Sequence, residues 1–292
     1  MAFSTSSLIH LHLSFLPIVM AYDLLTLQQL EQLHSPGSTC ILFRVEKGII
    51  FKAAVFISRD QHIQTRPKVE KHYDVEEKIL ARLGFHPRIV RLLGHQTTPR
   101  GLLLAEASHG GLQQYLDNGD VSQSLRQRWF LQAIECVAYI HSKGIVHSDL
   151  RPDNFLIDET SPKTLDLLLC DFGGSVCEEL GIDGGGLPDA GFSEPDICDT
   201  PTPSIDLFSL GSVLYTIVTG HWPHREPGGL FRSQGEKDEY ESRVNDYFRR
   251  QEFPDVMGLY GGDIITRCWT KEYKTAADAL CDANDIANRP HR

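Results

Sequence analysis

Short apolar runs alternate with polar positions through the first third of the chain, where residues 41–45 and 48–58 carry the two-residue period of half-buried strands. Over residues 73–83 the period lengthens to that of a helix, and residues 89–94 and 101–107 return to strands. Beyond Gly110 and Gly111 the pattern is helical, with residues 124–143 setting Trp129, Ala133, Ile134, Val137 and Ile140 on one stripe. Two short apolar strands follow, at residues 155–158 and 166–172, and then a glycine-rich stretch that ends near Pro195. Residues 205–220 are apolar enough on all sides to predict a buried helix, and amphipathic helix and loop fill the remainder. The pattern is α+β: a small, mainly β part ahead of a larger, mainly helical one. It has no internal repeat, and the junction is a hinge at residues 106–111.

Composition fits a folded chain, with 41% hydrophobic and 23% charged residues in 292. A net charge of −11 argues against nucleic acid or anionic lipid as partner and in favour of basic ones. The seven cysteines are odd in number and scattered, several lie within apolar runs, and none forms a C-x-x-C pair. They predict buried free thiols in a reducing compartment, without a zinc site. Residues 8–22 are apolar and end near a Val-Met-Ala that resembles a cleavage site, yet they are too short to span a bilayer. No Lys or Arg precedes them, two histidines and a proline interrupt them, and none of the five asparagines is in a glycosylation sequon. The expectation is a cytoplasmic or nuclear protein, neither secreted nor stably inserted in a membrane. Residues 1–21 then read as an extra strand, a packed extension or an over-long gene model.

The strongest chemical signal is His147-Ser148-Asp149-Leu150-Arg151-Pro152-Asp153-Asn154, directly after the long helical stripe, with Asp171-Phe172-Gly173 beginning 22 residues beyond Asp149. Either motif alone is ordinary turn sequence. In this order and context they resemble the protein kinases of the Ser/Thr type, with wording similar to certain fungal members. The resemblance implies a bilobal kinase domain over residues 22–290, with an N-lobe at about 22–106 and a C-lobe at about 112–290. It implies ATP and Mg2+ as cofactors and a protein substrate, and it leaves the oligomeric state open. It also implies roles: Asp149 orients the attacking hydroxyl, Asn154 and Asp171 hold Mg2+, and Arg151 neutralises the γ-phosphate. Lys52 closes a strand where the family has its phosphate-binding lysine, and Glu76 rather than Glu77 pairs with it, because Leu80 then falls one turn later on the inner face. Gly37, Leu42, Ile50, Lys52, Glu106, Ala107 and Leu156 correspond to the nucleotide slot. Leu80, Leu92, His147 and Phe172 match the family's hydrophobic spine, with Asp206 as its anchor.

Several positions depart from the family pattern. The phosphate-covering loop, residues 35–40, keeps Gly37 but has Ser35 and Cys40 where glycine is usual. Ile50 replaces a small alanine under the adenine, and Ala105 is expected as an unusually small gatekeeper. Ser148 replaces the arginine that grips an activating phosphate, which predicts an activation segment not switched by phosphorylation. The A-P-E motif survives as Phe192-Ser193-Glu194, with Arg267, Lys271 and Lys274 as candidate partners for Glu194. No Lys or Arg lies between Phe172 and Ile205, while Glu178, Glu179, Asp183, Asp189, Glu194, Asp196 and Asp199 are acidic. That stretch is either a solvated loop or a platform for basic peptides. The alternative to an active kinase is a pseudokinase working as a nucleotide-binding or scaffold module, favoured by the poor glycine loop and opposed by the presence of Lys52, Asp149, Asn154 and Asp171. A small-molecule kinase of similar fold is a third reading.

Overall fold

The computed structural model describes residues 30–33, 40–54, 66–186, 188–195, 201–226 and 231–288. The apolar extension, Gly37 with its loop, and Asp196 and Asp199 lie outside the described residues.

Strands β1 (Glu31–Leu33), β2 (Cys40–Glu46), β3 (Ile49–Ala54), β4 (Leu92–Thr97) and β5 (Arg100–Ala105) form one antiparallel sheet in the order β1-β2-β3-β5-β4. Helix α1 (Arg66–Leu83) packs Val69, Tyr73, Glu76, Leu80 and Leu83 inward at alternating spacings of four and three. It begins two turns earlier than the sequence pattern predicts. Its first turns are polar except for the buried Val69, so apolar periodicity carries little signal there.

Alternation along β5 also revises one expectation. Lys52 faces Leu102 and Ile50 faces Leu104 across the ladder, whereas Ala105 lies opposite Ile49. Directly opposed residues share a face, so Leu104 stands over the slot and Ala105 turns to the outer side with Ile49 and Leu103. Leu104, not Ala105, therefore shares the face of Lys52 and Ile50: a one-residue shift reverses the face, and sequence alone did not fix the register.

The helical lobe is built on α2 (Leu112–Asn118), α3 (Gln123–Ser142), α4 (Pro203–Thr219), α5 (Gln234–Arg249), α6 (Gly262–Trp269) and α7 (Ala276–Ala287). Ser122 caps α3 by accepting from Leu125 N, and the stripe of Trp129, Ala133, Ile134, Val137 and Ile140 is fully buried against α4. Helix α4 is buried along nearly its whole length and ends at Gly220, whose φ of 90° favours glycine. The β6 (Phe155–Ser161) and β7 (Thr164–Leu169) hairpin rests on α3. It joins the lobes through Val90 N to Leu169 O at 2.9 Å and Leu169 N to Arg88 O at 2.8 Å. Among the described residues no helix is long and apolar enough to cross a membrane, and none of the six cysteines is in a disulfide bond. Of those, Cys281 is exposed, contrary to the expectation that the thiols are buried.

Candidate active site

The site is assembled from the buried helix outward. Asp206, fully buried on α4, accepts the backbone N–H of His147 at 2.7 Å on Oδ2 and that of Ser148 at 2.9 Å on Oδ1. His141 Nε2 lies 2.9 Å from Oδ2. This grip holds Ser148 at a φ of +66°, a region that side chains other than glycine seldom occupy. The next residue, Asp149, thereby enters the cleft between the lobes. Asn154, on a short 3-10 turn that Pro152 opens, donates its Nδ2 to the Asp149 backbone oxygen at 2.7 Å and to its Oδ2 at 3.2 Å. His147 sets its ring 5.0 Å from that of Phe172, and its Nε2 lies 3.0 Å from Cys170 O. Leu80 and Phe172 belong to one apolar cluster on which Leu92 also packs.

From the sheet side, Lys52 Nζ lies 3.0 and 2.7 Å from the two Glu76 oxygens and 2.8 Å from Asp171 Oδ1. Glu77 is occupied elsewhere, its Oε1 being 3.0 Å from His95 Nδ1. Burial pulls the Lys52 ammonium down, but Asp171 and Glu76 outweigh it and leave it well above the ordinary lysine value. The same lysine holds Asp171 below the usual carboxylate range, against its burial. Asp149 moves the other way: burial, with Asp171 and Asp189 nearby, pushes it up to about 7 against the pull of Arg151. A carboxylate so tuned is matched to taking a proton near neutrality.

The slot beside this centre is apolar. Leu42 lies opposite Lys52, Ile50 opposite Leu104, and Leu156 bridges to Gly111 from the other lobe. Glu106 is tied to the β2–β3 turn: its amide donates to Gly48 O at 2.9 Å, and its carboxylate accepts from Arg44 Nε at 2.8 Å and Gly48 N at 3.2 Å. Ala107, half-buried, makes no backbone hydrogen bond among the described residues.

On the far side, Arg151 is shared between Asp149, whose Oδ1 is 3.9 Å from Nε, and Asp189, on which Nη1 closes an ion pair. The segment after Asp171 is stitched by backbone. β8 (Val176–Cys177) pairs β9 (Ile182–Asp183), and Gly184 N donates to Ser175 O at 2.9 Å. A Cβ on Gly184 would come within 2.4 Å of Gly173 O, so this close approach requires glycine. Ser175 is buried and donates to His147 O at 3.2 Å. Of the three candidates for Glu194, Lys271 is the partner, with Nζ 2.5 Å from Oε1, while Arg267 turns to Asp282. Two contacts were not anticipated. The Arg151–Asp189 pair is one, since in sequence Asp189 is only one acid among seven. Arg82 on α1 joins Glu179 and also donates to Lys143 O at 2.8 Å, and nothing in its spacing signals this long-range clamp.

A cleft between a β lobe and a helical lobe, with a carboxylate-held lysine on one wall and an Asp-Asn pair on the other, is the bilobal architecture of the protein kinase class. The family model of the protein kinase domain matches residues 52–279, and the chain belongs to that family. It is 30% identical over 225 residues to the serine/threonine-protein kinase PKH3 of Eremothecium gossypii, covering 72% of this chain and 29% of that protein. It is 31% identical over 181 residues to the SNF1-like protein kinase ssp2 of Schizosaccharomyces pombe, covering 59% of this chain and 30% of that one. With Serine/threonine-protein kinase RAD53 of Saccharomyces cerevisiae it shares 28% identity over 228 residues, 70% of this chain and 27% of the relative. The chain thus spans about three-tenths of the length of these curated relatives.

Proposed function

We propose that this chain transfers the γ-phosphate of ATP to Ser or Thr side chains of a protein substrate, with Mg2+ as cofactor. The observation that carries the reading is the closed Lys52–Glu76–Asp171 ion triad facing Asp149 and Asn154 across one cleft. The donor set suits a hard cation. Asp171 keeps its Oδ2 free of Lys52, and Asn154 uses its Nδ2 on Asp149, which leaves its Oδ1 as an oxygen ligand. Magnesium held by these two residues would neutralise the triphosphate.

The chain's own groups supply the rest. Glu76 fixes Lys52 for the phosphates, while Leu42, Ile50, Ala107 and Leu156 line the base slot beneath Leu104. Asp149 orients the substrate hydroxyl and accepts its proton, and Arg151 lies beside it to balance charge developing on the phosphoryl oxygens. Gly37 belongs to the same assignment through the phosphate loop.

The activation segment works without phosphorylation in this reading: Ser175 is buried under His147, and Ser193 donates to Glu194 O. Basic peptides are the preferred substrates, supported by the acidic stretch with Glu178 and Asp183, although Glu179 is already paired to Arg82 and Asp189 to Arg151. Cysteines without disulfides among the described residues favour a reducing compartment, cytoplasm or nucleus.

The test is incubation of purified protein with γ-labelled ATP, Mg2+ and basic or acidic peptides. Transfer to Ser/Thr of basic peptides supports the reading. Mg-dependent ATP binding without transfer to any acceptor would point to a pseudokinase instead.

A further inference from the structure

The triad corner leaves one polar group without a partner. Lys52 has three N–H donors, and all three are committed, two to Glu76 and one to Asp171. Tyr73 lies one turn before Glu76 on the same inward face of α1, and the residue is 2% exposed. Its Oη is buried and has no hydrogen-bond partner among the described residues. Lys52, Cys40, Glu76 and Asp171 are near enough to act on it electrostatically, and Glu76, on the same face one turn on, is the residue that holds Lys52. Burial raises the phenol far above its ordinary value, so it keeps its proton and remains a donor.

A phenylalanine would fill the same volume without stranding a hydroxyl, so packing alone gives Oη no task. Two of the groups around it are similarly shielded, Lys52 at 7% and Glu76 at 2% exposed, so burial does not set Tyr73 apart from the lysine assigned to the nucleotide, while the Asp171 side chain is 47% exposed.

We propose that Tyr73 is a further nucleotide-binding residue, its hydroxyl donating a hydrogen bond to a β- or γ-phosphate oxygen of ATP. This rests on the ATP reading above. It adds a neutral donor beside the charged one that Lys52 supplies to the phosphates.

The experiment is calorimetric binding of ATP, ADP and AMP with Mg2+ to the parent protein and to Tyr73→Phe, with thermal unfolding of both without nucleotide. The expected result is about tenfold weaker ATP and ADP binding, unchanged AMP binding and an unfolding midpoint at or above the parent's. Equal ATP affinity in both proteins would overturn the assignment while leaving the kinase reading intact. A uniform loss for all three nucleotides, or a lower midpoint without nucleotide, would also overturn it, because the hydroxyl would then have a structural task. A parent protein that binds none of the three would remove the ATP reading and this inference with it.

Discussion

Replacing Asp206 by Asn keeps shape and volume while removing one acceptor from a site that needs two. The amide oxygen can still serve His147 N–H and His141 on the Oδ2 side, at the 2.7 and 2.9 Å positions. The NH2 group must then face Ser148 N–H, which donates to Oδ1 at 2.9 Å in the intact protein. A charge-assisted hydrogen bond is lost and a fully buried donor is left unpaired, for a total of about 3 kcal/mol. In a domain of this size that corresponds to a fall in Tm of about 6–12 °C. The residue that loses its hold is also the strained one. Ser148 sits at φ +66° with a buried, unpaired Oγ, so Ser148→Gly should raise Tm by about 2–4 °C in the parent, as relief of about 1 kcal/mol implies. The double variant should lie between the two. Thermal unfolding followed by circular dichroism, without nucleotide and near neutral pH, reads all four proteins. An Asp206→Asn midpoint within a degree of the parent, or a Ser148→Gly loss as large as that of Asp206→Asn, would refute the view that Asp206 holds a strained loop.

Asp166 offers a pH test: burial opposes its charge, but bonds from Thr160, Gln132 and Arg128 outweigh that and lower it to about 2. Its folded value lies below the unfolded one, so its contribution of about 2 kcal/mol is present above about pH 4 and is lost as pH falls toward 2. Denaturant unfolding across that window should show the parent losing about that much more stability than Asp166→Asn, and parallel curves would contradict it. Phosphatase treatment should leave peptide phosphorylation unchanged, as should Ser193→Ala; a collapse mapping to that serine would reverse the reading of the activation segment. Preference for basic peptides should weaken as salt rises, through screening of exposed charges, and a salt-independent or acidic consensus would exclude it.

The helical lobe was legible because each element there agrees with its neighbours. The stripe from Trp129 to Ile140 fixes the long helix, and the Asp149 and Asp171 motifs fall at its end and after the hairpin. The sheet was legible as strands but not in register, and Leu104 rather than Ala105 over the slot is the consequence. The early start of α1 escaped because a polar helical turn looks like loop when only Val69 marks its buried side. Glu106 is placed at the slot by its position in the hinge, and what the sequence does not show is that an arginine 62 residues earlier in the chain takes its carboxylate. Pairings of that kind, including Arg82 with Glu179 and Lys271 with Glu194, depend on how elements pack, and a choice among three cations near Trp269 could not be made from spacing alone.

The division of labour between the two central aspartates is tested most directly by one paired measurement, γ-phosphate transfer and Mg-ATP affinity in Asp149→Asn and Asp171→Ala beside the parent. If Asp149 acts on the substrate hydroxyl, its Asn variant binds Mg-ATP as the parent does and transfers phosphate at least about a hundredfold more slowly. If Asp171 holds the metal, its Ala variant loses Mg-dependent stabilisation by ATP. Parental transfer rates in Asp149→Asn, or undiminished Mg-ATP stabilisation in Asp171→Ala, would contradict the account.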